Sequence, residues 1–114
     1  MYQMVIILPL DLDLNRFENG WPDFLEAAEQ MPGLIQESVT RFDQSFFGSR
    51  DIQRIYTFSF MDRTSLEEAL TSPAGEEAGN ILHNISGGKL SILSGDYQTD
   101  TLDRIQTFSK SPED

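Results

Sequence analysis

Residues Tyr2 to Leu8 form a nearly continuous apolar run that closes at Pro9. A strand with apolar residues on both of its alternating faces must be covered on both sides, so this run predicts a central strand in a layered fold. It is far shorter than a membrane span, and it lacks the basic start and small-residue cleavage site of a signal peptide. The 114 residues suffice for one hydrophobic core and are too few for two of ordinary size.

The pattern then changes period. Phe17, Trp21, Phe24, Leu25, Ala28 and Met31 recur at spacings of three and four, which is one apolar stripe on a helix, and Asn15 or Asn19 is expected to cap it. Pro22 would clash in a regular helix interior, so either the main helix starts there after a short turn or the helix kinks. Pro32-Gly33 is expected to stop it. Leu34 to Phe42 alternates, with Ile35 and Val39 on one face and Gln36, Ser38 and Thr40 mostly on the other. After the turn signal Gly48-Ser49-Arg50-Asp51, Ile52 to Met61 is a second β-rich run in which Tyr56, Phe58 and Phe60 share a face. The two runs predict a hairpin.

Thr64-Ser65-Leu66-Glu67 fits a capping box, and the helix it opens is interrupted at Ser72-Pro73-Ala74-Gly75, where Ser72 caps a fresh segment with Pro73 at its first position. Ala78, Ile81, Leu82 and Ile85 give that segment its apolar stripe. Gly87-Gly88 ends it, and Lys89 to Ser94 alternates as a fourth strand before Gly95. The order is β-α-β-β-α-β, the ferredoxin-like α+β arrangement: a four-stranded antiparallel sheet with both helices on one face. Residues 1–96 form this domain, and 97–114 are an extension. In the extension Leu102, Ile105 and Phe108 keep a helix-like spacing for packing on a partner or back on the chain, and residues 109–114 are expected to fray.

Two helices cover one face of a sheet, yet strands one and three are apolar on both. A second copy of the sheet satisfies the other face, so a homodimer is expected. Nineteen acidic against eight basic side chains leave a net charge of −11. That field repels phosphate backbones and anionic lipid surfaces, which argues against nucleic acid and membrane partners. The absence of cysteine removes disulfides, thiolate metal sites and cysteine nucleophiles, and with no signal peptide it points to the cytoplasm. One histidine and no calcium-loop pattern leave no metal constellation, and Gly87-Gly88 precedes a strand, so no phosphate-cradling loop and no cofactor is expected.

Three local signatures resemble the EthD family of the dimeric α+β barrel superfamily. They are Met31-Pro32-Gly33-Leu34, then Ser65-Leu66-Glu67-Glu68-Ala69-Leu70 with Ser72-Pro73-Ala74-Gly75, and Asn84 ahead of Gly87-Gly88, in an order that fits nearly all of residues 2–96. The resemblance implies a face-to-face dimer with a small apolar pocket between sheet and helices. It also implies relatives among cofactor-free monooxygenases, isomerases and cyclases acting on aromatic or polyketide-like compounds. EthD-type chains usually place a histidine in helix one before the Pro-Gly stop, and the corresponding position here is Phe24, to which no acid–base role carries over.

The candidate ligand-binding residues are Trp21, Phe24, Tyr56, His83 and Asn84; no catalytic residue is assigned. Trp21 and Phe24 either wall a pocket at helix one or pack the core, with Trp21 favoured for the pocket because Trp is rarely buried completely. Tyr56 would add one hydroxyl to an aromatic wall. His83, the only histidine, reads as a helix-end residue or a pocket group, and Asn84 as a cap or a ligand contact. Two functions stay open: a cofactor-free, oxidoreductase-like enzyme acting on a small apolar or aromatic compound, or a non-catalytic dimeric module that binds such a compound.

Overall fold

The N-terminal apolar run and the aromatic run after Ile52 pair with each other. In the computed structural model, which describes residues 1–103, β1 (Tyr2–Pro9) lies antiparallel to β3 (Ile52–Phe60), with Met4 opposite Phe58 and Ile6 opposite Tyr56. β2 (Gln36–Arg41) flanks β3 and β4 (Ser91–Asp96) flanks β1, both antiparallel, so the sheet order is β2-β3-β1-β4. β1 is central, as its apolar run requires. The expected order of elements and the β2–β3 hairpin are observed. Ile105, Phe108 and residues 109–114 lie outside the described residues.

Met4, Ile6, Leu8, Tyr56, Phe58 and Phe60 point to one side of the sheet and are buried. Three helices cover that side: α1 (Leu14–Glu29), α2 (Arg63–Thr71) and α3 (Pro73–Ser86). Phe17, Phe24, Ala27 and Ala28 form the buried stripe of α1, and Ala78 and Leu82 that of α3. Among the described residues nothing covers the opposite side of the sheet. Val5, Ile7, Ile55 and Leu93 share it by register, half-buried or, for Leu93, 58% exposed. Among the described residues the expectation of a first strand covered on both faces is therefore met on one face.

Local chemistry moves several boundaries. α1 is capped by Asp13, whose carboxylate accepts from the N–H groups of Asn15 and Arg16, rather than by Asn15 or Asn19. The helix runs through Pro22. An interior proline costs about 3 kcal/mol. Here Pro22 sits on the exposed face, where water can serve the carbonyl it leaves unpaired, while Phe17, Trp21 and Phe24 hold the other face to the core. α1 stops at Glu29 with Gln30 in a right-handed conformation, so Gly33, at φ 82°, shapes the turn into β2 rather than the cap itself. α2 is capped by Asp62, two residues before Thr64, because its carboxylate reaches the Ser65 N–H at 2.8 Å. Ser72 caps α3 as expected, its hydroxyl accepting from the Gly75 N–H at 3.1 Å with Pro73 at the first position. Gly87 ends α3 in the left-handed conformation, and β4 extends past Gly95 to Asp96 because it pairs with β1 as far as Tyr2.

The join of α2 and α3 leaves no room for a side chain at Gly75, where a Cβ would run into the carbonyl oxygens of Ala69 and Leu70. Gly79, one turn further along the same helix, faces open space. Gly79→Ala is expected to raise stability by about 1 kcal/mol through helix propensity. Gly75→Ala is expected to lower it by about 1–3 kcal/mol through overpacking. Urea denaturation of both variants checks this, and midpoints moving in the same direction would contradict it.

The Asp62 carboxyl is held below the usual carboxylate range by the Ser65 backbone N–H and then by the Ser65 hydroxyl. Its stabilising effect is present above the unfolded-state pKa and is lost as pH falls through the lower folded-state value. Asp62→Asn keeps an acceptor and removes the charge. The variant is expected to be less stable than the parent at neutral pH, with the gap closing in acid; a gap that widens on acidification would refute the assignment.

Candidate functional site

Because side chains alternate along a strand, Arg54 and Tyr56 of β3 point to the helix side together with Val39 and Arg41 of β2. α1 packs against β3 through the rings of Phe17, Trp21 and Phe24, and the edge strand β2 is exposed along its whole length. The gap between α1 and this edge is a cleft of about 280 Å³. Its apolar wall includes Trp21, Leu25, Tyr56 and Phe58, and its polar side chains are Glu37 and Arg41; Ser38 also borders it, with its side chain on the other face of the sheet by register. An apolar wall with a few convergent polar groups is the usual form of a small-molecule site.

The rings that line it are fixed in place. Trp21 sits 4.1 Å from Tyr56, centroid to centroid, and 4.6 Å from Phe24 in a stacked arrangement. Phe17 stacks on Trp21 at 5.0 Å, and Phe24 meets Phe58 edge-on at 5.9 Å. Trp21 is half-buried, with part of its ring left for the cleft, whereas Phe24 is 2% exposed and packs behind it.

A polar relay backs the aromatic wall. Arg54 donates from Nη1 to the Tyr56 hydroxyl oxygen at 3.1 Å and from Nη2 to Glu18 Oε1 at 2.8 Å. Burial opposes the charge on Arg54, but the hydrogen bonds to Tyr56 and Glu18 outweigh it and hold the guanidinium more firmly protonated than usual. At the cleft, the Glu37 carboxyl is pushed up by partial burial and then by the nearby charge of Glu29. Among the described residues there is no group of three His, Cys, Asp or Glu side chains placed to hold a metal ion.

The structure brings Trp21 and Tyr56 together at the cleft and sets Phe24 in the core behind them. His83 and Asn84 lie elsewhere, exposed near the end of α3. His83 borders a separate hollow of about 430 Å³ between α3 and β4. The Asn84 carbonyl accepts from Arg16 at 2.7 Å, and the side chain that serves the helix end is Ser86, accepting from the Gly88 N–H at 3.1 Å. Sequence reasoning passed over Arg54, Glu18, Glu37 and Arg41. The i, i+2 spacing of Arg54 and Tyr56 on one strand was a usable signal for the first; the others depend on how α1 crosses the sheet.

No family model matches the chain, and no curated protein matches it significantly. Solved structures do. An ethyl tert-butyl ether D (EthD) family protein from Bacillus halodurans C-125 is 20% identical, with a TM-score of 0.76, over 86% of this chain and 99% of that one. SnoaB, a cofactor-independent oxygenase from Streptomyces nogalater, is 15% identical with a TM-score of 0.62 over 89% of this chain and 95% of its own. A dimeric ferredoxin-like protein of unknown function from Jannaschia sp. CCS1 is 16% identical with a TM-score of 0.61, over 84% and 97% respectively. At these identities the likeness concerns the fold. The chain has the ferredoxin-like α+β fold, and the resemblance to the EthD family carried by its sequence signatures extends to its three-dimensional structure.

Proposed function

We propose that this protein is a cytoplasmic, EthD-like homodimer that binds a small aromatic compound in the cleft between α1 and the β2–β3 edge and carries out cofactor-independent, oxidoreductase-like chemistry on it. The observation that carries the reading is the Trp21–Tyr56 pair, 4.1 Å apart, forming a rigid aromatic wall beside the charged side chains of Glu37 and Arg41. A flat ligand gains stacking and apolar burial against that wall, while the polar groups fix its orientation. When the hard step resides in the substrate, the protein needs chiefly to orient it and exclude water.

The dimer follows from the uncovered sheet face. Val5, Ile7, Ile55 and Leu93 form an apolar strip that a second copy would bury in both chains at once. The dimeric state of the Jannaschia protein supports this reading. No described helix is long and apolar enough to cross a membrane, which fits the cytoplasmic assignment.

One observation favours a non-catalytic ligand-binding module instead: Phe24 is sealed in the core where EthD-type chains usually carry a histidine, so the cleft has no imidazole for proton transfer. Native mass spectrometry of protein purified from its own cells is expected to show two chains with a retained aromatic compound. Incubating that complex with oxygen separates the two readings. Conversion of the compound supports the enzyme, return of the compound unchanged supports the module, and a clean monomer with nothing bound contradicts both.

A further inference from the structure

Phe46 and Phe47 stand at the tip of the β2–β3 connection, 91% and 98% exposed. Single apolar residues at a surface need no explanation, but two adjacent phenyl rings almost wholly in water form a patch of the kind that marks an interaction site. The loop that carries them is closed by its own hydrogen bonds. The Ser45 hydroxyl is shared between the carbonyls of Phe47 and Gly48, and Arg50 donates to the Phe42 carbonyl at 2.6 Å.

The same end of the sheet carries a hollow of about 610 Å³, bordered by Ile7, Pro9, Ile52, Leu90 and Leu93. Ile7 and Leu93 belong by register to the uncovered face, so the hollow continues the apolar strip. It adjoins the loop through Asp51 and Ile52, yet Phe46 and Phe47 do not line it in their own chain. At the opposite end the same face is polar, with Gln3, Gln36 and Ser59 in register.

We propose that Phe46 and Phe47 form an arm that enters this hollow on a second copy of the chain. This rests on the proposed homodimer and adds the contact that orients it. For two sheets packed face to face, a two-fold axis running along the strands keeps like ends together and exchanges the edges. The β2–β3 tip of one chain then falls over the β1–β4 end of the other, where the hollow lies. An axis across the strands would set the rings on the polar end instead. At about 150–250 Å² for each ring, the two arms of a dimer bury about 600–1,000 Å² of their own surface. That is a large share of the about 1,200–2,000 Å² found in stable interfaces. The net charge of −11 disfavours an anionic bilayer as the occupant of the rings.

The chain has no cysteine, so introduced thiols report the contact directly. Chains carrying Phe47→Cys are mixed with chains carrying either Lys89→Cys, beside the hollow, or Gln36→Cys, at the polar end, and are oxidised mildly. A disulfide between the two kinds of chain is expected with Lys89→Cys and not with Gln36→Cys, because the bond needs Cα atoms within about 7 Å. In sedimentation equilibrium, Phe46→Ser/Phe47→Ser is expected to raise the dimer dissociation constant about 100-fold. Cross-linking at Gln36→Cys, or at neither position, overturns the arm and leaves the dimer standing. So does a double variant that dimerises as tightly as the parent; co-sedimentation of the parent but not that variant with phosphatidylcholine vesicles would then name a bilayer as the occupant. A parent chain that is monomeric overturns both the arm and the dimer.

Discussion

The antiparallel pairing of β1 with β3 is the interaction on which the rest of the structure depends. It places Met4, Ile6 and Leu8 beside Tyr56, Phe58 and Phe60 on one side, and this shared apolar surface is what the helices dock against. At about 1.5–3 kcal/mol for each large side chain taken fully out of water, six such residues outweigh any single cap or ion pair in the molecule. The same register sets Val5 and Ile7 beside Ile55 on the other side, because a one-residue slip would exchange the two faces. One pairing thus creates both the core and the surface that calls for a partner.

The cleft is a by-product of how that core is covered. The helices cover the central strands and leave β2 exposed, so a gap opens where α1 ends its cover and the edge strand begins. Aromatic residues from α1 and β3 line the gap because they belong to the stripes that build the core. Trp21 differs from Phe17 and Phe24 only in lying at the margin of the stripe, half-buried between core and cleft. Arg54 occupies the corresponding margin on β3, where its guanidinium meets the tyrosine hydroxyl on one side and Glu18 on the other.

Much of this was legible in the sequence. Period-two and period-3.6 patterns gave the order of elements, the β2–β3 hairpin, the broken second helix and the fresh cap at Ser72, since each rests on interactions between near neighbours in the chain. The misplaced caps at α1 and α2 arose because Asn15 and Thr64 also suit a cap, and the choice fell to the aspartates just upstream, Asp13 and Asp62, whose carboxylates reach the free N–H groups. Trp21 and Tyr56 were each named as pocket candidates, alongside Phe24, His83 and Asn84, from their residue types and stripes; that the two rings meet is a finding of the structure. Their association with Arg54 and Glu18 was not readable, because Glu18 lies 36 residues from Arg54 and meets it only through the crossing of α1 over the sheet. The distance of His83 from the cleft has the same origin: its helix packs at the other side of α1, towards β4.

The central claim is that a sheet with an apolar strip on its uncovered face is completed by a second copy of itself. Sedimentation velocity on the purified chain, beside an Ile55→Lys variant that puts a charge in the middle of the uncovered strip, tests it most directly. The account predicts a dimer at micromolar concentration for the parent and a folded monomer for the variant, with circular dichroism unchanged. A parent chain that sediments as a monomer, or a variant that dimerises as well as the parent, would contradict it.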